Sequence, residues 1–403
     1  MLIQRANKYC AEPTPYQAQA MGQWVGACRF VYNIALEQRI DARRKGVRLD
    51  YNKQAKEITT CRAIADWLKF APVHAVQYAL QHLEDAFARF FSGQNDHPTP
   101  RKKFKDDTFT LPAEDVEFKR LNKHHGAIKL PKIGWVRFRG FRKLGGKLRS
   151  VTFRRKAGKW YVSAAWDRNI PEPPRIDAEP IGIDRGVAVF AATSVGELID
   201  PVGAFDGIKD KLAKLQQKLA RKVKFSSNWY KLKGKISRLR SHEANARKDF
   251  LHKQTSKLAK SHGVYRLEKL RVKNMTASAK GTVEEPGKNV RAKAGLNRSI
   301  LDQGWGMFAT FLAYKLAERG GRTEFTPAPY TSLRCPVPAC GYIHADNRPT
   351  RDRFCCVACG FQEHADVVGA INVSQGRILP VEPPKRIRRR VGKRKPVEIK
   401  HAA

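Results

Sequence analysis

The sequence predicts a multidomain chain that mixes α+β and α/β architecture, and three observations carry that prediction. Apolar residues recur at helical steps through roughly the first ninety positions. Short β-like runs separated by Gly-containing turns follow. A Pro-rich segment then opens a second part in which strands, long basic helices and a cysteine cluster alternate. At 403 residues the chain is long enough for two or three domains, and 42% hydrophobic with 9% aromatic residues excludes wholesale disorder. Its 78 Lys+Arg against 37 Asp+Glu leave a net charge of +41, which repels itself unless a polyanion is bound, so nucleic acid is the expected partner. No apolar run approaches a membrane span, and MLIQRANKYC lacks a secretory core. A cytoplasmic, nucleoid-associated protein with no membrane partner is expected.

Taken in order, Met21, Val25, Cys28, Tyr32 and Leu36 space a helix from Pro15 to about Lys45, where Gly46 stops it. A second helix starts near Asp50. After Pro72, Val76, Leu80, Leu83, Phe87 and Phe90 line one face of a third. Residues 93–107 turn to loop composition. Strands are expected at Ile128–Leu130, Trp135–Phe138, Leu148–Arg154 and Trp160–Trp166. Between Phe118 and Trp166 there are fifteen Lys/Arg and no acid. Phe138, Phe141, Phe153, Trp160 and Tyr161 are interleaved among them, which suits phosphates and base faces.

Glu172–Glu179 is the expected linker. Ile181–Ala192 reads as one buried strand, turning at Ser194–Gly196 into Leu198–Ile199. Two basic helices follow, the first on Ile208, Leu212, Leu215 and Leu219, the second on Leu232, Ile236, Leu239, Ala246 and Phe250. Residues 209–260 hold seventeen Lys/Arg and three acids. Val264–Glu268 is a short strand, 274–293 a polar connection and Ile300–Arg319 a single helix. A last helix starts at Ala365, and the tail from Ser374 is expected to lack fixed structure.

Cys10, Cys28 and Cys61 are scattered and read as small buried residues. Cys335-x4-Cys340 and Cys356-x2-Cys359, fifteen residues apart and each closed by glycine, supply four soft ligands for one structural Zn²⁺. Cys355 is the spare. Acids are scarce, so Asp184 in IGIDRGVAVFAA, Glu268 in VYRLE and Asp366 in HADVVGAINV stand out among apolar neighbours. Singly, each could be a salt-bridged structural acid. Together, in a chain built for polyphosphate, they fit a site for two catalytic Mg²⁺.

These motifs together resemble the TnpB proteins of bacterial insertion sequences, relatives of the compact type V CRISPR effectors, over residues 1–373. The most specific pieces are GIDRGVAVFAATSVG (182–196), LEKLRVKNM (267–275), KAGLNRSILDQGWG (293–306) and YTSLRCPVPAC…FCCVACGFQEHADVVGAIN (330–372). The resemblance implies a helical recognition module at 14–107 and a β-barrel wedge domain at 108–172 with its first strand at 1–13. It further implies an RNase H-like RuvC nuclease domain at 173–332, carrying the basic hairpin, with a zinc ribbon inserted at 333–360, its last helix at 361–373 and a basic tail at 374–403. Asp184, Glu268 and Asp366 match the family's three RuvC acids, and Cys335, Cys340, Cys356 and Cys359 its zinc ligands. The chain departs from the family at KYCAEPTP, in the wide first knuckle and in HADVVGAIN, and none of these removes an acid.

The implied activity is metal-dependent, RNA-guided DNA endonuclease cleavage beside a short flanking motif, with a guide RNA from the element and double-stranded DNA as partners. A type V CRISPR effector, a nuclease-inactive guided repressor and a strand-transfer transposase are the alternatives. No helix-turn-helix pattern is evident for the last of these. The oligomeric state is open, with a monomer favoured.

Overall fold

A computed structural model describes residues 1–141, 145–201 and 206–376. The expected unstructured tail lies outside the described residues apart from its first three positions. The chain divides into two compact units, residues 1–172 with 214–241, and residues 173–213 with 242–403. Among the described residues, no helix is long and apolar enough to cross a membrane.

The first unit begins with strand β1 (Leu2–Glu12) and helix α1 (Pro15–Arg44). The Thr14-Pro15-x-Gln17 sequence starts α1 with a capping box. The Thr14 hydroxyl accepts from Gln17 N at 3.3 Å, and Gln17 Oε1 accepts from Thr14 N at 3.0 Å. The same Gln17 is buried and its amide donates to the carbonyls of Ile133 and Trp135, which ties the helix to the sheet. Helices α2 (Tyr51–Ile64), α3 (Asp66–Phe70) and α4 (Val73–Phe91) complete the helical layer. Arg39 and Gln54, both buried, are joined at 2.8 Å between α1 and α2.

Strands β2 (Thr108–Pro112), β3 (Glu117–Arg120), β4 (His125–Leu130), β5 (Gly134–Arg139), β6 (Lys147–Lys156) and β7 (Lys159–Asn169) form a seven-stranded antiparallel sheet with β1, in the order β2-β6-β7-β1-β5-β4-β3. The first strand therefore sits in the middle, paired with β7 from Leu2↔Asn169 to Ala11↔Trp160 and with β5 on its other side. Among the described residues no ladder joins β2 to β3, so the strands expected as a β-barrel are seen as a sheet with two edges. Strand alternation also corrects the sequence expectation for three of the five aromatics, Phe141 and Tyr161 staying half-buried. Phe138 is buried against Tyr9 and Phe118, and Phe153 and Trp160 are buried against Phe109, while the neighbouring cations point outward. These rings form core and are closed to bases.

The second unit is built on a five-stranded sheet, β10-β9-β8-β11-β12, from β8 (Ile181–Asp184), β9 (Ala191–Thr193), β10 (Leu198–Ile199), β11 (Val264–Glu268) and β12 (Arg322–Thr326). The run Ile181–Ala192 is thus broken into two antiparallel strands, with β8 ending at Asp184. Strand β11 runs parallel to both β8 and β12. Helices α5 (Asp206–Ala220) and α6 (Ser227–Ser261) follow β10, and residues 214–241 of this hairpin group with the first unit. After α7 (Val272–Met275), the expected single helix over 300–319 is two, α8 (Val290–Gln303) and α9 (Trp305–Ala317). Gly304 separates them at φ +70°, a backbone that side-chain-bearing residues rarely adopt. The core gathers Ile183, Leu267, Leu251, Leu258, Phe308 and Leu312. The strands β13 (Arg353–Cys355) and β14 (Gln362–His364) form a separate hairpin before α10 (Ala365–Ser374).

Candidate active site and metal centre

Asp184 and Glu268 end two adjacent parallel strands. The register pairs Ile183 with Leu267, which sets the two acids side by side at the carboxyl end of the sheet, where open α/β sheets place their ligands. Asp366 comes from the first turn of α10, the helix packed on β8, and its charge acts on Asp184. Two glycines allow that packing. A Cβ on Gly182 would stand 1.9 Å from the Ala370 carbonyl oxygen, and one on Gly369 would stand 2.6 Å from Asp184 Oδ2.

The electrostatics are those of crowded carboxylates. Burial, then the neighbouring charges of Glu268 and Asp366, push Asp184 up to about 8. Burial likewise raises Glu268, opposed by the Thr331 hydroxyl, which donates to Glu268 Oε1 at 2.6 Å, and by Arg185. Arg185 is itself buried and donates to the backbone carbonyls of Glu268 and, at 3.4 Å, Trp305. Arg348 donates to Asp366 Oδ1 at 3.1 Å. Arg185, Thr331 and Arg348 escaped the sequence reasoning. Only the adjacency of Arg185 to Asp184 carried a local signal.

The four zinc-candidate thiols converge. Their sulfurs all lie within 4.8 Å of one another, with Cys335 to Cys359 at 3.5 Å and Cys340 to Cys356 at 3.7 Å. Gly341 and Gly360 take positive φ just after each knuckle, as the turn requires. Burial works against the Cys356 thiolate, but the backbone N–H groups of Cys359 and Ala358, with the Cys359 and Cys340 thiols, outweigh it and bring the thiol to about 7, whereas the Cys335 thiol is pushed up by burial and the Cys340 thiol is raised as well. Asn347, fully buried, closes the two knuckles together. Its amide donates to the Leu333 and Tyr342 carbonyls, and its oxygen accepts from Val357 N at 3.0 Å. Cys355 stays outside the cluster. Cys28 is buried as expected, whereas Cys10 is half-buried and Cys61 exposed.

Three family models match the chain. Residues 163–279 match the OrfB type of IS605, a probable transposase, and residues 305–373 match a Cas12f1-like TNB domain. Residues 1–48 match a model described as a helix-turn-helix domain, a pattern the sequence reasoning had not found. In this chain that span holds β1 and the single long helix α1. Together these define an insertion-sequence protein of the OrfB type. The chain is 40% identical over 372 residues to the putative RNA-guided DNA endonuclease InsQ of Escherichia coli strain K12, covering 92% of this chain and 91% of that one. It belongs to the same family, the TnpB proteins. A putative RNA-guided DNA endonuclease of Streptomyces pristinaespiralis is 28% identical over 378 residues, covering 92% and 89%. Among solved structures, the cryo-EM structure of a Cas12f1–sgRNA–target DNA complex shares the fold, with a TM-score of 0.57 at 14% identity over 89% of this chain and 83% of that chain.

Proposed function

We propose that this protein is an RNA-guided DNA endonuclease of a bacterial insertion sequence, cutting DNA beside a short flanking motif at sites matched by a guide RNA from the element. The observation that supports this reading is the placing of Asp184 and Glu268 at the ends of neighbouring parallel strands, with the charge of Asp366 acting on Asp184, in a chain of net charge +41. The relatives named for that activity cover nearly the whole chain and support it.

In this reading residues 173–332 and 361–373 are the RuvC nuclease domain. Three antiparallel strands followed by two parallel ones support an RNase H-like fold there. Residues 333–360 are its zinc ribbon, 14–107 the recognition module, and 108–172 with 1–13 the wedge domain. Asp184, Glu268 and Asp366 are the residues that would hold two Mg²⁺ ions, and the donor set fits. All ligands are carboxylate oxygens, and buried like charges call for a cation. When bound, such ions activate a water and stabilise the leaving 3′ oxygen.

The chain's own residues prepare that site. Thr331 donates to one oxygen of Glu268, and the Asp184 side chain shares a further hydrogen bond with the same carboxyl. Arg185 fixes the backbone at the end of β11. Arg348 pairs with Asp366 and so holds a guanidinium beside that carboxylate. Basic surfaces of the sheet and of α6 hold nucleic acid by charge and backbone shape, and base pairing supplies the sequence.

The test is a plasmid carrying a guide-matched site with its flanking motif, incubated with protein and its co-expressed RNA. Linear product that needs both the matched guide and Mg²⁺ supports the proposal. Binding without cutting would make the protein a guided repressor, and joined strands would make it a transposase.

A further inference from the structure

The turn between α5 and α6 holds an aromatic cluster that serves no core. Val223 is 79% exposed, Phe225 71% and Tyr230 49%. The Phe225 ring lies 5.5 Å from that of Trp229, which in turn meets Tyr230 edge-on at 5.1 Å. Lys233 places its ammonium 4.6 Å over the Trp229 ring.

This arrangement is held in place. Ser226 Oγ donates to the Val223 carbonyl at 2.8 Å and accepts from Trp229 N at 3.2 Å, starting α6. Phe225 sits between them at φ +67°, a left-handed backbone that a bulky side chain adopts only at a cost. Glycine or asparagine would close the turn without strain, and neither would present a ring. Beside the turn, a groove of about 560 Å³ is lined by Lys218, Arg221, Lys222, Lys231 and Lys235. The ion pairs of α6 fall further along, at Arg247, Lys253 and Lys257.

We propose that this tip is a stacking platform for unpaired bases of RNA, with Phe225 and Trp229 meeting base faces and the lysine groove holding the phosphates. Exposed rings next to a strip of cations that pair with no acid among the described residues are the complement of a single strand, which offers bases and phosphates together. An acidic protein surface would use the cations and leave the rings idle. RNA is favoured over DNA because loops and bulges hold bases unstacked at rest, whereas duplex DNA offers them only once opened. The choice of RNA rests on the guided reading above; the stacking surface itself does not.

The experiment uses the full chain, stripped of nucleic acid in high salt, and a labelled RNA hairpin with an unpaired loop. A fully paired RNA and the DNA counterpart of the loop run beside it. Phe225→Gly should melt no lower than the parent, because glycine accepts the left-handed backbone, yet lose between about fivefold and a hundredfold in loop affinity. That loss should persist as salt is raised. Phe225→Tyr should bind as the parent does, while Lys218→Gln with Lys222→Gln and Lys231→Gln should flatten the salt dependence. Parental affinity in Phe225→Gly would overturn the proposal. So would tighter binding of the DNA loop, or light scattering in which Phe225 holds two copies of the chain together. A chain that binds loops through Phe225 but never cuts a guided site would overturn the nuclease reading and leave this surface standing.

Discussion

Gly369 of α10 passes over Asp184 of β8 so closely that a Cβ at position 369 would fall 2.6 Å from Oδ2 and 3.2 Å from Cγ of that carboxylate. Alanine at 369 must therefore move Asp184. Misplacing a catalytic group by about 1 Å costs on the order of a hundredfold in rate. Gly369→Ala is expected to lose cleavage on that scale while retaining RNA affinity and zinc. Cleavage and RNA binding measured on one preparation check it; a parental cutting rate would show that the position of Asp184 does not matter.

Gly182 faces backbone on the other side of the same contact. Its added Cβ would meet the Ala370 oxygen at 1.9 Å and Ser374 N at 2.5 Å, atoms that cannot rotate away. Gly182→Ala should destabilise by about 1–3 kcal/mol. Gly22→Ala, in the interior of α1 with nothing within 4 Å, should instead stabilise by about 0.5–1 kcal/mol. Thermal melting of both variants separates crowding from a general dislike of substitution.

Asp184 also makes a pH prediction. Its folded pKa, about 8, lies above the ordinary 3.8, so the folded chain holds a proton there that the unfolded chain has lost. This group's contribution to stability is full below about pH 4 and falls away as the pH rises through 8. In a chelator, Asp184→Asn should melt several degrees above the parent at pH 8, with the gap narrowing toward pH 5. A gap independent of pH would contradict the raised pKa.

The cysteine cluster predicts one zinc per chain. Cys340→Ser should lose the metal and lower the melting temperature, because the ribbon's small core of Phe354, Ala365 and Val368 is built around the knuckles. Cys355→Ser should keep metal and stability. Metal content by elemental analysis decides between them, and equal loss in both would displace the assignment.

What the sequence disclosed was whatever has a local signature. Met21, Val25, Cys28, Tyr32 and Leu36 announce α1, the glycines after Cys340 and Cys359 announce the knuckles, and Asp184 and Glu268 stand out because carboxylates are costly among apolar strand residues. Features that depend on distant partners stayed hidden. Nothing near Thr331 marks it as the hydroxyl on Glu268, 63 residues away, and nothing near Arg348 marks Asp366. Asn347 reads as an ordinary turn residue until the two knuckles close on it. The aromatic strands misled for a physical reason. A basic strand that carries both rings and cations has one face for core and one for solvent, and composition does not say which residues take which.

In the proposed function Asp184, Glu268 and Asp366 cut DNA together under RNA guidance. Its most direct test is the single-turnover cleavage rate of a guide-matched DNA by the RNA-bound parent and by Asp184→Ala, Glu268→Ala and Asp366→Ala, with guided DNA binding measured alongside. The parent should cut in a Mg²⁺-dependent way, and each variant should lose about a thousandfold or more, with binding intact. A parental rate in any one of the three would contradict it.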